Sequence, residues 1–138
     1  MPTVIVDTGI LYAMADRDDR WHERVKAYLQ TQTDTLIVPV TVLPEVCYLL
    51  NTYIGQDAER SFVISLLQGE MKVENLTTDD LRRTSNLLEQ YSGANIGLVD
   101  ASLVAAAERL KIRRILTTDR RHFSLIRPRH CSHFELLP

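Results

Sequence analysis

The chain has 138 residues, of which 45% are hydrophobic and 25% are charged, and its formal net charge is −2. This length and balance are typical of one domain, so we expect a single domain over residues 1–138 and exclude intrinsic disorder and collagen-like repeats. No apolar stretch approaches the ~20 residues of a membrane span, and two cysteines are too few for a disulfide framework. We therefore expect a cytoplasmic protein without a membrane anchor.

Charge is distributed unevenly along the chain. Residues 1–108 contain 8 Lys and Arg against 16 Asp and Glu, whereas residues 109–138 contain 8 against 2, which gives net charges of −8 and +6. A basic segment on an acidic chain is suited to hold a phosphate backbone beside a negatively charged site. A solvated surface explains the same charges equally well, so charge alone leaves both interpretations open.

In the first half of the chain, the spacing of apolar residues predicts two strands and four helices. A β-branched run that ends at Asp7 is typical of a buried strand, and Val46, Leu49 and Tyr53 repeat at helical spacing. Pro44 is compatible with that helix because it lies in the first turn. In chain order, we expect a strand at 3–7, helices at 8–15 and 19–30, a strand at 36–38, and helices at 43–53 and 57–67.

The second half continues the alternation of strands and helices. Thr77 followed by Asp80 predicts the start of a helix, and a later amphipathic helix opens with Asp100. The elements expected here are a strand at 71–73, a helix at 77–91, a loop at 92–97, a helix at 99–110, a strand at 114–117 and an edge strand at 133–136. Since hairpin signals are almost absent, we predict an α/β fold with a mostly parallel sheet covered by helices on both faces.

Four carboxylates are expected to meet at one edge of this sheet. Asp7 ends the first strand, Asp119 follows a late strand, and Glu45 and Asp100 lie in the first turns of helices. Ligands of an open parallel sheet bind outside the carboxyl ends of the strands, where helices that follow strands begin. Each carboxylate taken singly is explained by helix capping, so the residues alone support a metal site and helix caps about equally.

A carboxylate cluster at that edge would hold either protons or a cation. Mg²⁺ and Mn²⁺ prefer oxygen ligands, and they can activate water for phosphodiester cleavage. We expect an all-oxygen site, because no histidine or cysteine occupies the acidic positions, and His122 is expected to be structural. The hydroxyl of Thr117 is placed to hydrogen-bond a carboxylate, and the neighbouring Arg120 and Arg121 are candidate phosphate contacts.

Two groups outside the acidic positions have ordinary explanations. His130, Cys131 and His133 are compactly spaced, but a structural zinc site needs four ligands, so we favour a surface segment. Three aromatic side chains near the first two helices are explained by core burial, although they would also suit a groove for an amphipathic partner helix. These aromatic residues are Tyr12, Trp21 and Tyr28.

Four sequence blocks carry a more specific signal than any single residue. They read VIVDTGILYA at 4–13, VPVTVLPEV at 38–46, GLVDASL at 97–103 and LTTDRRHF at 116–123. In composition and order they resemble the acidic blocks of PIN-domain proteins, and among these most closely the VapC-type ribonuclease toxins of type II toxin–antitoxin systems. The resemblance spans nearly the whole chain, although residues 54–96 carry no diagnostic match.

This resemblance implies a three-layer α/β/α PIN-like sandwich and Mg²⁺- or Mn²⁺-dependent cleavage of RNA. It assigns the catalytic acidic positions to Asp7, Glu45, Asp100 and Asp119, with Asp7, Asp100 and Asp119 as metal ligands. Thr117 takes the family's hydroxyl position two residues before the last aspartate. A small cognate antitoxin and a homodimer are the partners that the resemblance implies.

The leading hypothesis is therefore a metal-dependent endoribonuclease toxin. A housekeeping PIN-type nuclease in RNA maturation shares every site residue, and the neighbouring gene would separate the two. A non-catalytic, Mg²⁺-binding receiver-like signalling module ranks lower because that class needs a lysine late in the chain. The only lysine after Lys72 is Lys111, which is predicted to lie within a helix region rather than after a strand.

Overall fold

The computed structural model describes residues 2–138, and its five strands form one parallel sheet. The order across the sheet is β3–β2–β1–β4–β5, and every neighbouring pair runs parallel. The central strand contributes Val4, Ile5 and Val6, all fully buried, as expected for a strand covered on both faces. The strands are β1 (Thr3–Val6), β2 (Thr35–Pro39), β3 (Lys72–Glu74), β4 (Arg114–Leu116) and β5 (Glu135–Leu137).

Seven helices and one 3₁₀ turn at Ser92–Ala94 surround this sheet. The helices are α1 (Thr8–Ala15), α2 (His22–Thr31), α3 (Val42–Tyr53), α4 (Gln56–Leu67), α5 (Thr78–Gln90), α6 (Leu98–Leu110) and α7 (Arg120–Leu125). The first four helices pack against one another, whereas α5 packs on α6. The architecture is the three-layer α/β/α sandwich that was predicted. Within residues 2–138, no helix is long and apolar enough to cross a membrane.

Two predicted boundaries differ from the structure, and one helix lies where none was predicted. The second helix begins at His22, not at residue 19, because the Asp19 side chain accepts a hydrogen bond from the Trp21 amide and holds a turn there (2.8 Å). The last strand is shifted to Glu135–Leu137, although it is an edge strand as expected. Helix α7 was not predicted, because its six residues are too few for a periodic pattern.

The strand order places a topological switch point between β1 and β4. β2 and β3 lie on one side of β1, while β4 and β5 lie on the other. The chain leaves β1 into α1 and leaves β4 toward α7, so the residues that follow these two strands flank the switch point. Such a crevice at the carboxyl ends of the strands is where open α/β sheets bind ligands.

Candidate functional site

Asp7 lies at the carboxyl end of β1, where it caps α1. Its side chain is only 6% exposed and accepts hydrogen bonds from the Thr8 amide (2.7 Å) and from the Thr117 hydroxyl (2.8 Å). Burial raises the pKa of this carboxyl, and the nearby Glu45 and Asp119 raise it further, whereas the two hydrogen bonds lower it. The capping interpretation is correct for Asp7, but the cap sits among other carboxylates.

Thr117 connects the ends of β1 and β4. The hydroxyl of this fully buried residue donates to Asp7 and accepts a hydrogen bond from the Asp119 amide (2.9 Å). One hydroxyl therefore links the Asp7 carboxylate to the main chain of Asp119, although the two residues are far apart in sequence. The structure places Thr117 where the sequence predicted it, against a carboxylate of the acidic positions.

A close contact between Gly9 and the side chain of Thr118 accompanies this connection. A Cβ atom added to Gly9 would lie 2.3 Å from the Thr118 hydroxyl oxygen, well inside van der Waals contact. A side chain at position 9 would therefore require the Thr118 side chain to move. The sequence analysis did not single out Gly9, since a glycine two residues after an aspartate carries no specific signal by itself.

Asp119 and His122 form a pair at the start of α7. The Asp119 carboxylate caps the helix by accepting the His122 amide (3.0 Å), and it also contacts the His122 ring nitrogen Nδ1 (2.7 Å). The hydrogen bond and the negative charge of Asp119 raise the pKa of the imidazole. The signal for this pair in the sequence was the three-residue spacing, which brings both side chains to one face of a helical turn.

Asp100 lies in the first turn of α6 and faces the same group. One oxygen of Asp100, one oxygen of Asp119 and one ring nitrogen of His122 all lie within 4.8 Å of one another. Burial, followed by the charges of Asp7 and Asp119, raises the pKa of Asp100 to about 6. An imidazole nitrogen therefore lies beside these carboxylates, where it is satisfied by Asp119, and the expectation of an all-oxygen metal site stays a prediction.

Glu45 is the fourth predicted carboxylate, and it lies in the first turn of α3 with its side chain exposed. Its negative charge contributes to the raised pKa values of both Asp7 and Asp100. The starts of α3 and α6 are joined by a hydrogen bond between the Thr41 and Ser102 hydroxyls (2.7 Å). We call Asp7, Glu45, Asp100 and Asp119 the acidic edge.

The acidic edge carries more negative charge than the protein itself neutralises. Among residues 2–138, His122 is the one basic side chain that forms an ion pair with any of these four carboxylates. The buried hydroxyl of Thr8, next to Asp7, has no hydrogen-bond partner in the same range. A divalent cation fits this donor set, because it would neutralise the charge and is bound by carboxylate oxygens.

The predicted phosphate contacts lie beside the acidic edge on α7. Arg120 and Arg121 are both exposed, and Arg120 donates to the main-chain carbonyl of Pro138. The surrounding excess of positive charge is smaller than the sequence count indicated, because Arg109 and Arg114 form ion pairs with carboxylates elsewhere. Their partners are Glu74, Asp80, Asp34 and Glu135.

The remaining candidate groups lie away from this edge. His130 uses Nε2 to donate to the Ile112 carbonyl (2.7 Å), and within residues 2–138 it belongs to no group of potential metal ligands. A cavity of about 370 Å³ lies between α1 and α2, although its lining differs from the predicted aromatic set. Its lining residues are Met14, His22, Lys26, Leu29 and Gln30.

Comparison with known proteins agrees with this geometry. Residues 4–127 match the PIN domain family. Over 135 residues, the chain is 33% identical to the ribonuclease VapC26 of Mycobacterium tuberculosis, which covers 98% of this chain and 100% of that protein.

Solved structures show the same fold at lower sequence identity. The structure of M. tuberculosis VapC20, a sarcin–ricin loop-cleaving toxin, has a TM-score of 0.81 at 23% identity and covers 86% of this chain and 92% of its own. That of VapBC2 from Rickettsia felis, bound to a DNA fragment from its promoter, has a TM-score of 0.69 at 16% identity and covers 99% of both chains.

Proposed function

The chain belongs to the PIN-domain family, and on this premise we propose that it is a metal-dependent endoribonuclease that acts as the toxin of a toxin–antitoxin pair. The 33% identity with a ribonuclease VapC over nearly the full chain supports this activity. The observation that carries the proposal is the convergence of four carboxylates from β1, α3, α6 and the β4–α7 connection. A receiver-like module is not supported, because Lys111 ends α6 and lines a cleft with Asp80 instead of facing the acidic edge.

We assign Mg²⁺ or Mn²⁺ as the cation and Asp7, Asp100 and Asp119 as residues that hold it. When bound, such an ion stabilises negative charge on a phosphodiester and favours the ionised form of an attacking water molecule. The Thr117 hydroxyl holds the Asp7 carboxylate and the main chain of Asp119, and these contacts support a preorganised site. Glu45 is the exposed member of the acidic edge, and we assign it to accept a proton from water that arrives from solvent.

RNA is the proposed substrate, and Arg120 and Arg121 are its proposed phosphate contacts. Both side chains are exposed on α7, directly after Asp119, so an RNA strand that reaches the acidic edge passes them. Guanidinium groups bind phosphate oxygens through charge-assisted hydrogen bonds. These contacts would position the strand without selecting its sequence, and the target RNA is therefore set by other parts of the surface.

An antitoxin partner fits the structural neighbours, which include a toxin–antitoxin complex from Klebsiella pneumoniae. We further propose that the chain forms a homodimer and that residues 1–138 fold as one domain. One sheet with one hydrophobic core supports the single domain. A gene for a small protein with a DNA-binding N-terminal half, next to the gene for this chain, would support the toxin role over a housekeeping nuclease.

Cleavage of a circular RNA by the purified full chain tests the proposal, since only an endonuclease opens a circle. After EDTA treatment, we expect cleavage to return with Mg²⁺ or Mn²⁺ and not with zinc alone. Asp100→Asn should lower the rate at least about 100-fold, because an amide does not supply the negative ligand that the ion needs. Asp79→Asn, at an exposed ion pair, is the matched control and should cleave like the parent. Cleavage that survives EDTA, or persists in Asp100→Asn, would overturn the proposal.

A further inference from the structure

Two segments of the chain connect the acidic edge with a cleft at the other end of α6. The first is α6 itself, in which Asp100 and Glu108 lie eight residues, or about 12 Å, apart. The second is residues 119–129, which are attached to both ends of this helix. At one end, carboxylate oxygens of Asp119 and Asp100 lie within 4.8 Å of each other, and at the other the Arg129 amide donates to Glu108 (2.8 Å). A strand that leaves the acidic edge along residues 119–129 therefore reaches the cleft.

The second segment is basic, and its positive charge is exposed. Residues 120–134 contain four arginines and no Asp or Glu. Arg127 and Arg129 are exposed, whereas Pro128 between them is buried. A proline holds the residue before it in extended backbone, in which alternate side chains point to opposite sides. The guanidinium groups of Arg127 and Arg129 therefore face solvent on the same side of the segment.

The cleft at the far end of α6 has a volume of about 340 Å³ and is lined by more cations than its carboxylates neutralise. The carboxylates in its lining are those of Asp79, Asp80 and Glu108, and each forms an ion pair with an arginine. Two further cations, Lys111 and Arg129, are exposed at the cleft and form no ion pair within residues 2–138. Both are therefore available to an anion that enters the cleft.

We propose that Arg127, Arg129 and Lys111 form a distal phosphate subsite for the RNA substrate. Nucleotides that flank the cleaved bond then run from the acidic edge along residues 119–129 into the cleft. This inference rests on the proposed function, in which the acidic edge cleaves RNA. A polyanion fits better than a single small anion, because the cations are spread over the segment and the cleft. Since they contact phosphates, they add affinity for RNA without reading its sequence.

A triple variant removes the subsite without disturbing the fold. It combines Arg127→Ala, Arg129→Ala and Lys111→Asn, and we call it the subsite variant. The main chain of Arg129, not its side chain, donates to Glu108, so this hydrogen bond is kept. Asparagine tolerates the left-handed backbone of position 111 (φ 59°).

Two further variants separate phosphate contacts from other effects. The control variant combines Arg17→Ala, Lys26→Ala and Lys72→Ala, which removes the same charge from exposed residues outside residues 109–138. The conservative variant combines Arg127→Lys and Arg129→Lys, which keeps the positive charge of the segment. A phosphate subsite should be lost in the subsite variant and largely retained in the other two.

RNA binding and RNA cleavage by the full chain provide the test. In EDTA, fluorescence anisotropy of a labelled uridine RNA of about 16 nucleotides should show that the slope of log K against log salt falls by about 2 in the subsite variant, since three contacts are lost at about 0.7 each. At about 0.1 M salt, its Kd should rise about tenfold or more above that of the control variant. For cleavage of the circular RNA with Mg²⁺, KM should rise similarly while kcat changes less than about twofold, because no reacting group is removed. Equal changes in the subsite and control variants would overturn the inference.

The proposed function fails separately from this inference. If the parent cleaves the circular RNA and the subsite variant keeps the KM of the control variant, the endoribonuclease stands and the distal subsite is contradicted. If the parent binds the uridine RNA and the slope falls only in the subsite variant, but the circle stays intact, the RNA-binding surface stands and the nuclease function is contradicted. A parent that neither binds nor cleaves RNA contradicts both.

Discussion

Helix α6 carries two charged groups with opposite electrostatics, one near each end. Asp100 belongs to the acidic edge, and Glu108 lies eight residues later, about 12 Å along the helix axis. The surroundings of Asp100 raise its pKa to about 6, whereas those of Glu108 lower its pKa. Both side chains are buried to a large extent, so burial does not explain the difference.

The difference lies in the neighbouring charges. Glu108 accepts two hydrogen bonds from Arg83 (2.7 and 3.0 Å) and one from the Arg129 amide, which together outweigh the penalty of burial. Nearby, Arg109 bridges Asp80 and Glu74. We call Asp80, Arg83, Glu108 and Arg109 the ion-pair cluster. Its charges are paired within the chain and hold α5 against α6, while those of the acidic edge are left for a ligand.

The size of a cleft does not distinguish between these groups, since the cavity between α1 and α2 (about 370 Å³) is larger than the cleft over the ion-pair cluster. A cleft of about 340 Å³ lies over the ion-pair cluster, where the carboxylates already have partners. Unneutralised charge, rather than concavity, therefore distinguishes the acidic edge as the candidate functional site. The comparison makes specific predictions about what each group contributes to stability and to function.

The largest effect on stability is expected from the ion-pair cluster. Glu108→Ala leaves the guanidinium of Arg83 without its buried partner, so the free energy of unfolding should fall by about 3 kcal/mol. Asp79→Ala breaks an exposed ion pair and should change it by less than about 0.5 kcal/mol. Urea denaturation measures both. An equal effect of the two substitutions would show that burial of the Arg83–Glu108 pair is unimportant.

A steric substitution beside the acidic edge should have the next largest effect. The Cβ of Gly9→Ala overlaps Thr118, so relief of the overlap should destabilise the fold by about 1–3 kcal/mol. Because the movement would displace the segment that holds Thr117 and Asp119, RNA cleavage per folded molecule should fall as well. Gly93→Ala is the control, since nothing lies within 4 Å of the added carbon. Unchanged cleavage by Gly9→Ala would separate this contact from the site.

The acidic edge and the ion-pair cluster should also change the stability of the fold in opposite directions as the pH changes, when EDTA is present. The pKa of Asp100 is raised from 3.8 to about 6 in the folded protein, so the folded protein binds more protons than the unfolded chain between these values. The contribution of Asp100 to the free energy of unfolding therefore falls as the pH rises from about 4 to 6. Asp80 and Glu108 have lowered pKa values, and they stabilise the fold above their unfolded values and lose this effect in acid. Urea denaturation of Asp100→Asn and of the parent measures this effect at about pH 4.5 and about pH 7. Between the lower and the higher pH, the free energy of unfolding of the variant should rise by about 1 kcal/mol relative to that of the parent, after solvent screening. A difference that does not depend on pH would contradict the repulsion at the acidic edge.

The smallest effect is expected at the proposed phosphate contacts. Replacement of Arg120 and Arg121 by Ala removes two positive charges outside the acidic edge, so RNA should bind more weakly and with less salt dependence. Each lost contact on single-stranded RNA should reduce the slope of log K against log salt by about 0.7. Arg60→Ala, at an exposed ion pair on α4, is the control. An unchanged slope in the double variant would show that neither arginine contacts the RNA phosphates.

The sequence was sufficient for the fold and for the position of each acidic residue, for reasons that are local. The buried run of β1, the capping pair Thr77 and Asp80, and the proline in the first turn of α3 each have a direct structural meaning. Asp7 and Asp119 follow β1 and β4 as expected, because parallel strands end at one edge, while the catalytic roles of the acidic residues stay predictions. These signals survive in a single sequence since they depend on neighbours along the chain.

The contacts that complete the site could not be predicted in the same way. His122 reaches the acidic edge from α7, a helix too short to leave a periodic pattern in the sequence. Gly9 lies against the side chain of Thr118, which is more than 100 residues away along the chain. The hydrogen bond between Thr41 and Ser102 likewise depends on how α3 and α6 pack. Such contacts are consequences of tertiary structure, and one sequence holds no separate signal for them.

The thermal stability of Asp100→Asn and of the parent, with EDTA and then with Mn²⁺, tests most directly whether the acidic edge is a metal site. Removing one carboxylate relieves repulsion, so in EDTA the variant should melt at a higher temperature than the parent. Mn²⁺ should then raise the melting temperature of the parent substantially and that of the variant much less, since only the native parent binds the ion tightly. A variant that melts lower than the parent in EDTA, and gains as much from Mn²⁺, would show that Asp100 is a helix-capping residue and that the acidic edge does not bind metal through it.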